Sequence, residues 1–183
     1  EKRLQDAIRA KEEGSAALQA GDIKRASFQY KLVHMHIGDL VSTSLLSAAS
    51  GEKDESSSMV GLMTSSRSTR EKIPADLQAS IDATYAASLN NLTLAHLKLR
   101  RFPEAIGCAT RVLQFEGKNT KALFRRGKAR MAIGLLDEAR QDFSSVLSLL
   151  PEDTDTLAAL SELRALEQAS TAKEKKMFQK MFV

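Results

Sequence analysis

The chain has 183 residues, a length that suits one domain with a core of useful size. Its composition, 43% hydrophobic with three prolines and nine glycines, favours a helical globular fold over a disordered chain. A net charge of +4 is too small to indicate nucleic acid by itself, and a single cysteine excludes an intramolecular disulfide framework. No apolar run is long enough to span a membrane and no signal peptide is recognisable. We therefore expect a cytoplasmic monomer without membrane attachment.

Two helices are predicted at the start of the chain. Residues 1 to about 20 form the first, which Gly21 and Asp22 end, and the second runs from Ile23 to about residue 48. His34 and His36 lie two residues apart on the second helix and so point to different faces, which makes them poor joint metal ligands. We expect packed or solvated imidazoles and no metal site.

Residues 50–72 form a predicted insertion that is rich in serine, glycine and charge, a composition typical of a flexible loop. An apolar patch lies within it, from Met59 to Met63. The patch either docks a few side chains on the helices or forms a short segment that binds a partner.

A long helix is predicted from about Ala75 to Leu99, and a shorter one from Pro103 to Phe115, because proline is tolerated in the first turn of a helix. Thr120 is the expected cap of the next helix, which Gly134 ends. Another helix begins at Asp137 and stops before Pro151.

The last predicted helix covers residues 154–180 and begins at a cap formed by Thr154 or Asp155. Its apolar residues can cover the open end of the packed helices. The final residues, KEKKMFQKMFV, carry apolar side chains four positions apart. This tail either meets a partner or packs back on the domain.

A helix–turn–helix pattern recurs along the chain. Residues 86–119 and 120–153 align at a spacing of 34, so that Leu89 matches Leu123, and residues 7–40 give another copy. This period is that of the tetratricopeptide repeat. We predict a single all-α domain over residues 1–183, with three repeats in a right-handed solenoid and a long C-terminal helix. The first helix of the second repeat starts early, near residue 75.

Basic residues gather on one face of the third repeat, where Lys121, Arg125 and Lys128 fall at i, i+4 and i+7. The first helices of successive repeats line a concave surface, and there Lys11 and Asn91 come from the first and second repeats. Such a cleft suits a carboxylate, because arginine binds one bidentately and lysine adds a point charge. The alternative is a solvated charged face without a role.

No enzyme signature is present, since the sequence has neither a glycine-rich phosphate loop nor a nucleophile elbow. Cys108 lies in the middle of a predicted helix at a packing position, which favours a structural thiol. We therefore expect a non-catalytic protein without a cofactor.

The basic positions resemble the carboxylate-clamp tetratricopeptide domains of heat-shock-chaperone co-chaperones, including the large FK506-binding immunophilins. This resemblance implies that Lys11, Ser15, Asn91, Lys121 and Arg125 are the clamp residues. Ser15 departs from the family pattern, which has asparagine after KEEG. A hydroxyl is shorter than an amide, so we expect a weak or water-mediated contact there.

A closer resemblance is to the tetratricopeptide repeat protein 9 family. It is carried by EKRLQDAIRAKEEG, LNNLTLAHLKL, KALFRRGKARMAIG and EKKMFQKMFV, and by the long insertion after the first repeat. That family implies a small cytosolic adaptor without catalytic residues.

The clamp resemblance implies that the groove binds the acidic C-terminal tail of a ninety- or seventy-kilodalton heat-shock chaperone, which resembles Glu-Glu-Val-Asp. The alternative is a chaperone-independent scaffold that binds other proteins through the groove, the insertion or the C-terminal helix. A nucleic-acid binder is disfavoured because aromatic residues do not interleave the basic ones.

Overall fold

The structure is a computed structural model that describes residues 1–42 and 73–181. The regular elements in these two ranges are all α-helices, which confirms the predicted all-α fold. Their bounds are α1 Lys2–Gln19, α2 Ile23–Ile37, α3 Ala75–Lys98, α4 Phe102–Phe115, α5 Thr120–Ala132, α6 Leu136–Leu149 and α7 Thr154–Met181.

The helices pack as three antiparallel pairs and a closing helix. α1 packs on α2, α3 on α4 and α5 on α6, while contacts between α2 and α3 and between α4 and α5 join the pairs. The first helices are also neighbours, since α1 contacts α3 and α3 contacts α5. α7 packs mainly on α6 and also contacts α5. The first helices therefore lie side by side along one face, as in a solenoid of helical repeats.

α2 is shorter than predicted, because it ends at Ile37 and not near residue 48. The amide of Gly38 donates to the His34 carbonyl oxygen at 2.9 Å, and the chain then turns. Val41 is buried in the core beyond this turn. Val41 therefore packs in the core without belonging to α2. The predicted insertion, residues 50–72, lies outside the described residues.

The caps of two helices lie before the predicted ones. Asn119 caps α5 in place of Thr120, because its Oδ1 accepts a hydrogen bond from the amide of Ala122 at 2.9 Å. Asp153 caps α7 in the same way, accepting from the amide of Thr156 at 3.0 Å, in place of Thr154 or Asp155. Gly134 follows α5 with a φ of +85° and ends that segment as predicted.

Glycines allow close approach within the first and third helix pairs. A Cβ on Gly127 would lie 2.6 Å from Cε1 of Phe143, and a Cβ on Gly14 would lie 2.8 Å from Cε1 of Tyr30. Both aromatic rings are fully buried. Each ring therefore occupies the volume that a side chain on the facing helix would take.

A buried carboxylate connects α5 and α6. Asp142 is 2% exposed and accepts hydrogen bonds from Arg126 at 2.7 Å and from Arg130 at 2.6 Å. Arg126 also donates to Thr110 of α4 at 3.3 Å. Two guanidinium groups thus compensate the desolvated carboxylate, so these two arginines serve the fold.

His34 of α2 is a packed imidazole. Its ring lies 4.6 Å from the ring of Tyr85, between centroids, and its buried Nε2 has no hydrogen-bond partner in the described part of the chain. Burial, with a smaller contribution from the positive charge of Arg111, lowers the pKa of His34 to about 4. The His34 imidazole is therefore neutral in the folded protein at neutral pH.

The stability of the domain should depend on this histidine in acid. The pKa of His34 is about 4 when folded against 6.5 ordinarily, so between these values the unfolded chain binds a proton that the folded chain does not. The free energy of unfolding then falls as the pH falls, by about 2 kcal/mol from roughly pH 7 to pH 5. Urea unfolding at both pH values should show a smaller decrease for His34→Gln than for the wild type. An equal decrease in both proteins would contradict this assignment, and His36→Gln is the control.

Candidate functional site

The candidate site is a cavity of about 670 Å³ between α3, α5 and α7, next to the α3–α4 turn. Its wall is apolar and consists mainly of Leu94, Leu97, Phe102, Phe124, Met131 and Leu166. Its rim is cationic and carries Lys98, Lys121, Arg125 and Lys128. An apolar hollow with a positive rim fits a ligand that combines apolar side chains with negative charge.

The predicted site residues fall into two groups. Lys121, Arg125 and Lys128 project from α5 and line the cavity together. Lys11 and Ser15 lie on α1 and Asn91 lies on α3, which are the neighbouring first helices, and these three residues do not line the cavity.

Arg125 is held in place by the neighbouring repeat. Its Nη1 donates to the backbone carbonyl oxygen of Asn90 at 2.7 Å, and the side chain is half-buried. Burial lowers the pKa of the Arg125 guanidinium, and Tyr30 acts in the opposite direction. The guanidinium has five donor hydrogens, so one bond to a carbonyl leaves capacity for a carboxylate. Fixing the side chain in advance reduces the entropy that binding would cost.

Tyr30 of the first repeat lies beside Ser15 and acts on Arg125 electrostatically. The Oγ of Ser15 lies 3.3 Å from the Tyr30 hydroxyl and also donates to the carbonyl oxygen of Lys11 at 2.9 Å. The Ser15 hydroxyl thus turns toward its own helix and the buried tyrosine.

Asn90 was not predicted from the sequence, although it orients Arg125. It does so through its backbone carbonyl, which every residue type has, so no side-chain pattern could reveal it. Asn91, the predicted residue beside it, is half-buried.

Lys128 has a partner within the chain. Its Nζ lies 2.9 Å from Oε2 of Glu162 on α7, and both residues line the cavity. Glu162 and Leu166 were not among the predicted groove residues, because the apolar residues of α7 were expected to cover the end of the stack. The repeat period offered a signal, since Glu162 follows Lys128 by 34 residues and so occupies the same position on the next first helix.

The environment of Cys108 favours a structural thiol over a reactive one. Cys108 is half-buried, and burial raises the pKa of its thiol, which favours the unreactive protonated form. In residues 1–42 and 73–181, no three His, Cys, Asp or Glu side chains gather in a way that would hold a metal ion. None of the helices described is both long and apolar enough to cross a membrane.

Peptidyl-prolyl cis-trans isomerases match this chain, although no protein-family model does. Bovine peptidyl-prolyl cis-trans isomerase FKBP4 is 31% identical over 182 residues, which is 100% of this chain and 33% of that protein. The chain thus spans about a third of the length of the FKBP4 proteins that it matches.

Solved structures share the fold. The C-terminal TPR-containing domain of a Plasmodium falciparum FK506-binding protein superposes with a TM-score of 0.70 at 23% identity, over 92% of this chain and 93% of that one. The second TPR domain of human RPAP3, in complex with the HSP70 peptide SGPTIEEVD, gives 0.59 at 23% identity, over 88% and 98%. The first TPR of Spaghetti (RPAP3), bound to the HSP90 peptide SRMEEVD, gives 0.58 at 22%, over 91% and 94%. The chain therefore has the fold of a tetratricopeptide repeat domain, and it is similar to the repeat domains of FK506-binding proteins and of RPAP3.

Proposed function

We propose that this chain is a non-catalytic, cytoplasmic adaptor of the co-chaperone type. Its groove binds the acidic C-terminal tail of a ninety- or seventy-kilodalton heat-shock chaperone. The observation that carries the proposal is the position of Arg125, which is fixed by the Asn90 carbonyl beside Lys121 at the edge of the cavity. Two similar structures carry peptides that end in Glu-Glu-Val-Asp, which supports this ligand class.

The terminal Asp of such a tail supplies two carboxylates. We assign their binding to Lys121 and Arg125 of α5, with Lys11 of α1 and Asn91 of α3 completing the clamp. Ser15 adds less, because its hydroxyl already bonds to its own helix. The adjoining cavity takes the side chains that precede the terminal Asp, and its apolar wall suits uncharged ones.

We also propose that the chain is a member of the tetratricopeptide repeat protein 9 family, and the resemblance of the segments quoted above supports this proposal. The repeats then cover residues 7–40, 86–119 and 120–153. The match to FKBP4 does not bring isomerase activity with it, because it covers only a third of that protein.

We expect a dissociation constant of about 1 μM for a peptide ending in Glu-Glu-Val-Asp, which corresponds to about −8 kcal/mol. The groove offers few charge-assisted contacts, each contributing about 1.5–3 kcal/mol before the ordering of the peptide is subtracted. Arg125→Ala should therefore weaken binding about tenfold or more. Amidation of the terminal carboxylate should have a comparable effect. Isothermal titration calorimetry of wild type and variant with both peptides measures these changes.

Arg140→Ala is the matched control for this titration. It removes the same charge from α6, where Arg140 pairs with Asp137 and Glu167 and does not line the cavity. Its affinity for the free-acid peptide should equal that of the wild type. Equal affinities for Arg125→Ala and Arg140→Ala, or an absence of binding in the wild type, would refute the clamp and leave the chaperone-independent scaffold.

A further inference from the structure

The ion pair between Lys128 and Glu162 lies at the α7 end of the cavity. Nζ and Oε2 are 2.9 Å apart, and the two side chains are 37% and 57% exposed. Among the described residues that line the cavity, four are cationic and Glu162 is the one acid. The positive rim is therefore interrupted at one place only in that set, and the interruption comes from the closing helix.

Lys128 differs from the other cationic residues of the rim because its charge is already paired with the Glu162 carboxylate. A ligand carboxylate that approaches Lys128 must displace the Glu162 carboxylate or come close to it, and two like charges at that distance repel. An uncharged ligand side chain meets no such penalty and leaves the ion pair intact. The groove thus has a cationic end at Lys121 and Arg125 and a neutralised end at Lys128.

We propose that Glu162 is a specificity-determining residue of the groove, which keeps Lys128 from binding an acidic ligand side chain and so favours an uncharged one at the α7 end. This inference rests on the proposed function, namely that the groove binds a peptide with an acidic C-terminus. It assigns to α7 a part in selecting the ligand, beyond covering the end of the repeats.

The test is a set of calorimetric titrations with free-acid peptides based on a tail that ends in Glu-Glu-Val-Asp. For each position upstream of the terminal Val-Asp in turn, one peptide carries Glu and its partner peptide carries Gln. At the peptide position that lies next to Lys128, Glu162→Gln should strengthen binding of the Glu peptide about threefold, as expected for a solvent-exposed ion pair. It should leave the Gln peptide unchanged. The gain should shrink at high salt, where exposed charges are screened.

Lys128→Ala provides a second, independent measurement. In the wild-type background it should change the affinity for the Glu peptide less than twofold, because Glu162 already engages the ammonium group. In the Glu162→Gln background the same substitution should abolish the threefold gain. Equal effects of Lys128→Ala in both backgrounds would overturn the proposal.

Glu167→Gln is the matched control. It removes the same charge from α7 and likewise breaks a contact of that helix, with Arg140 of α6, but it does not line the cavity. If Glu167→Gln strengthened binding as much as Glu162→Gln, net charge would explain the gain and the proposal would fail.

Arg125→Ala in the same titrations separates this inference from the proposed function. If wild type binds, Arg125→Ala loses at least tenfold and Glu162→Gln changes nothing for any peptide, only the role of Glu162 is refuted. If wild type binds no peptide, the proposed function fails and the role of Glu162 fails with it.

Discussion

Replacing Asp142 with alanine should lower the free energy of unfolding by about 3–5 kcal/mol, because it leaves two guanidinium groups partly buried without their counter-charge. Asp142 is 2% exposed, and the Arg126 and Arg130 side chains are 18% and 20% exposed. The three groups hold α5 against α6, so the loss should affect the third helix pair first. Chemical denaturation of wild type and variant measures the change.

Asp137→Ala is the control, since it removes the same group from the first turn of α6 at a position that is 84% exposed. Its effect should stay within about 0.5 kcal/mol, as for a surface ion pair. Equal losses in both variants would show that the carboxylate of Asp142 is not compensated in the way its contacts indicate.

Replacing Gly127 with leucine should cost about 3 kcal/mol, at the upper end of what an overpacked core contact costs. The first added carbon alone would lie 2.6 Å from Cε1 of Phe143, and because that ring is fully buried, the ring or a helix must shift. The thermal midpoint reports the loss.

Gly107→Leu serves as the matched substitution. Gly107 lies inside α4, and a Cβ added there meets no atom within 4 Å. Because glycine weakens the interior of a helix, this variant should be as stable as the wild type or more stable, by about 0.5–1 kcal/mol. A midpoint for Gly127→Leu that matches that of Gly107→Leu would contradict the close packing of α5 and α6.

Much of the fold could be predicted because it is encoded locally and repeatedly. The 34-residue spacing, together with Gly134 and the prolines at 74, 103 and 151, places the helices of the second and third pairs within two residues of their observed bounds. The end of α2 could not be predicted in this way. Contacts with another helix lie at this end, since Arg3 of α1 donates to the His36 carbonyl oxygen at 2.7 Å and pairs with Asp39 just beyond the helix, and a local pattern does not reveal such contacts.

The candidate site was predictable only in part, for related reasons. Side chains that face one another across repeats follow from the period, which is how Lys121 and Arg125 were found. The structural use of Arg126 and Arg130 was not predicted, because these arginines lie on the same helix as Lys121, Arg125 and Lys128 and carry the same charge. One signal was present: Asp142 falls on the apolar stripe of α6, with Ala139, Phe143 and Val146, where an acid requires a partner.

The glycine–aromatic contacts have a counterpart in the middle repeat with the sizes reversed. The positions 34 residues before Gly127 and Phe143 hold Thr93 and Ala109, and both are fully buried. Thr93 satisfies its hydroxyl with the Leu89 carbonyl oxygen at 2.9 Å. The larger residue of the pair therefore alternates between the first and the second helix from one repeat to the next. The repeats are consequently not exchangeable modules. A shuffled chain that joined the first helix of one repeat to the second helix of its neighbour would produce either a steric clash or a void. We therefore expect a change of size at one position of such a pair to require a compensating change at the other.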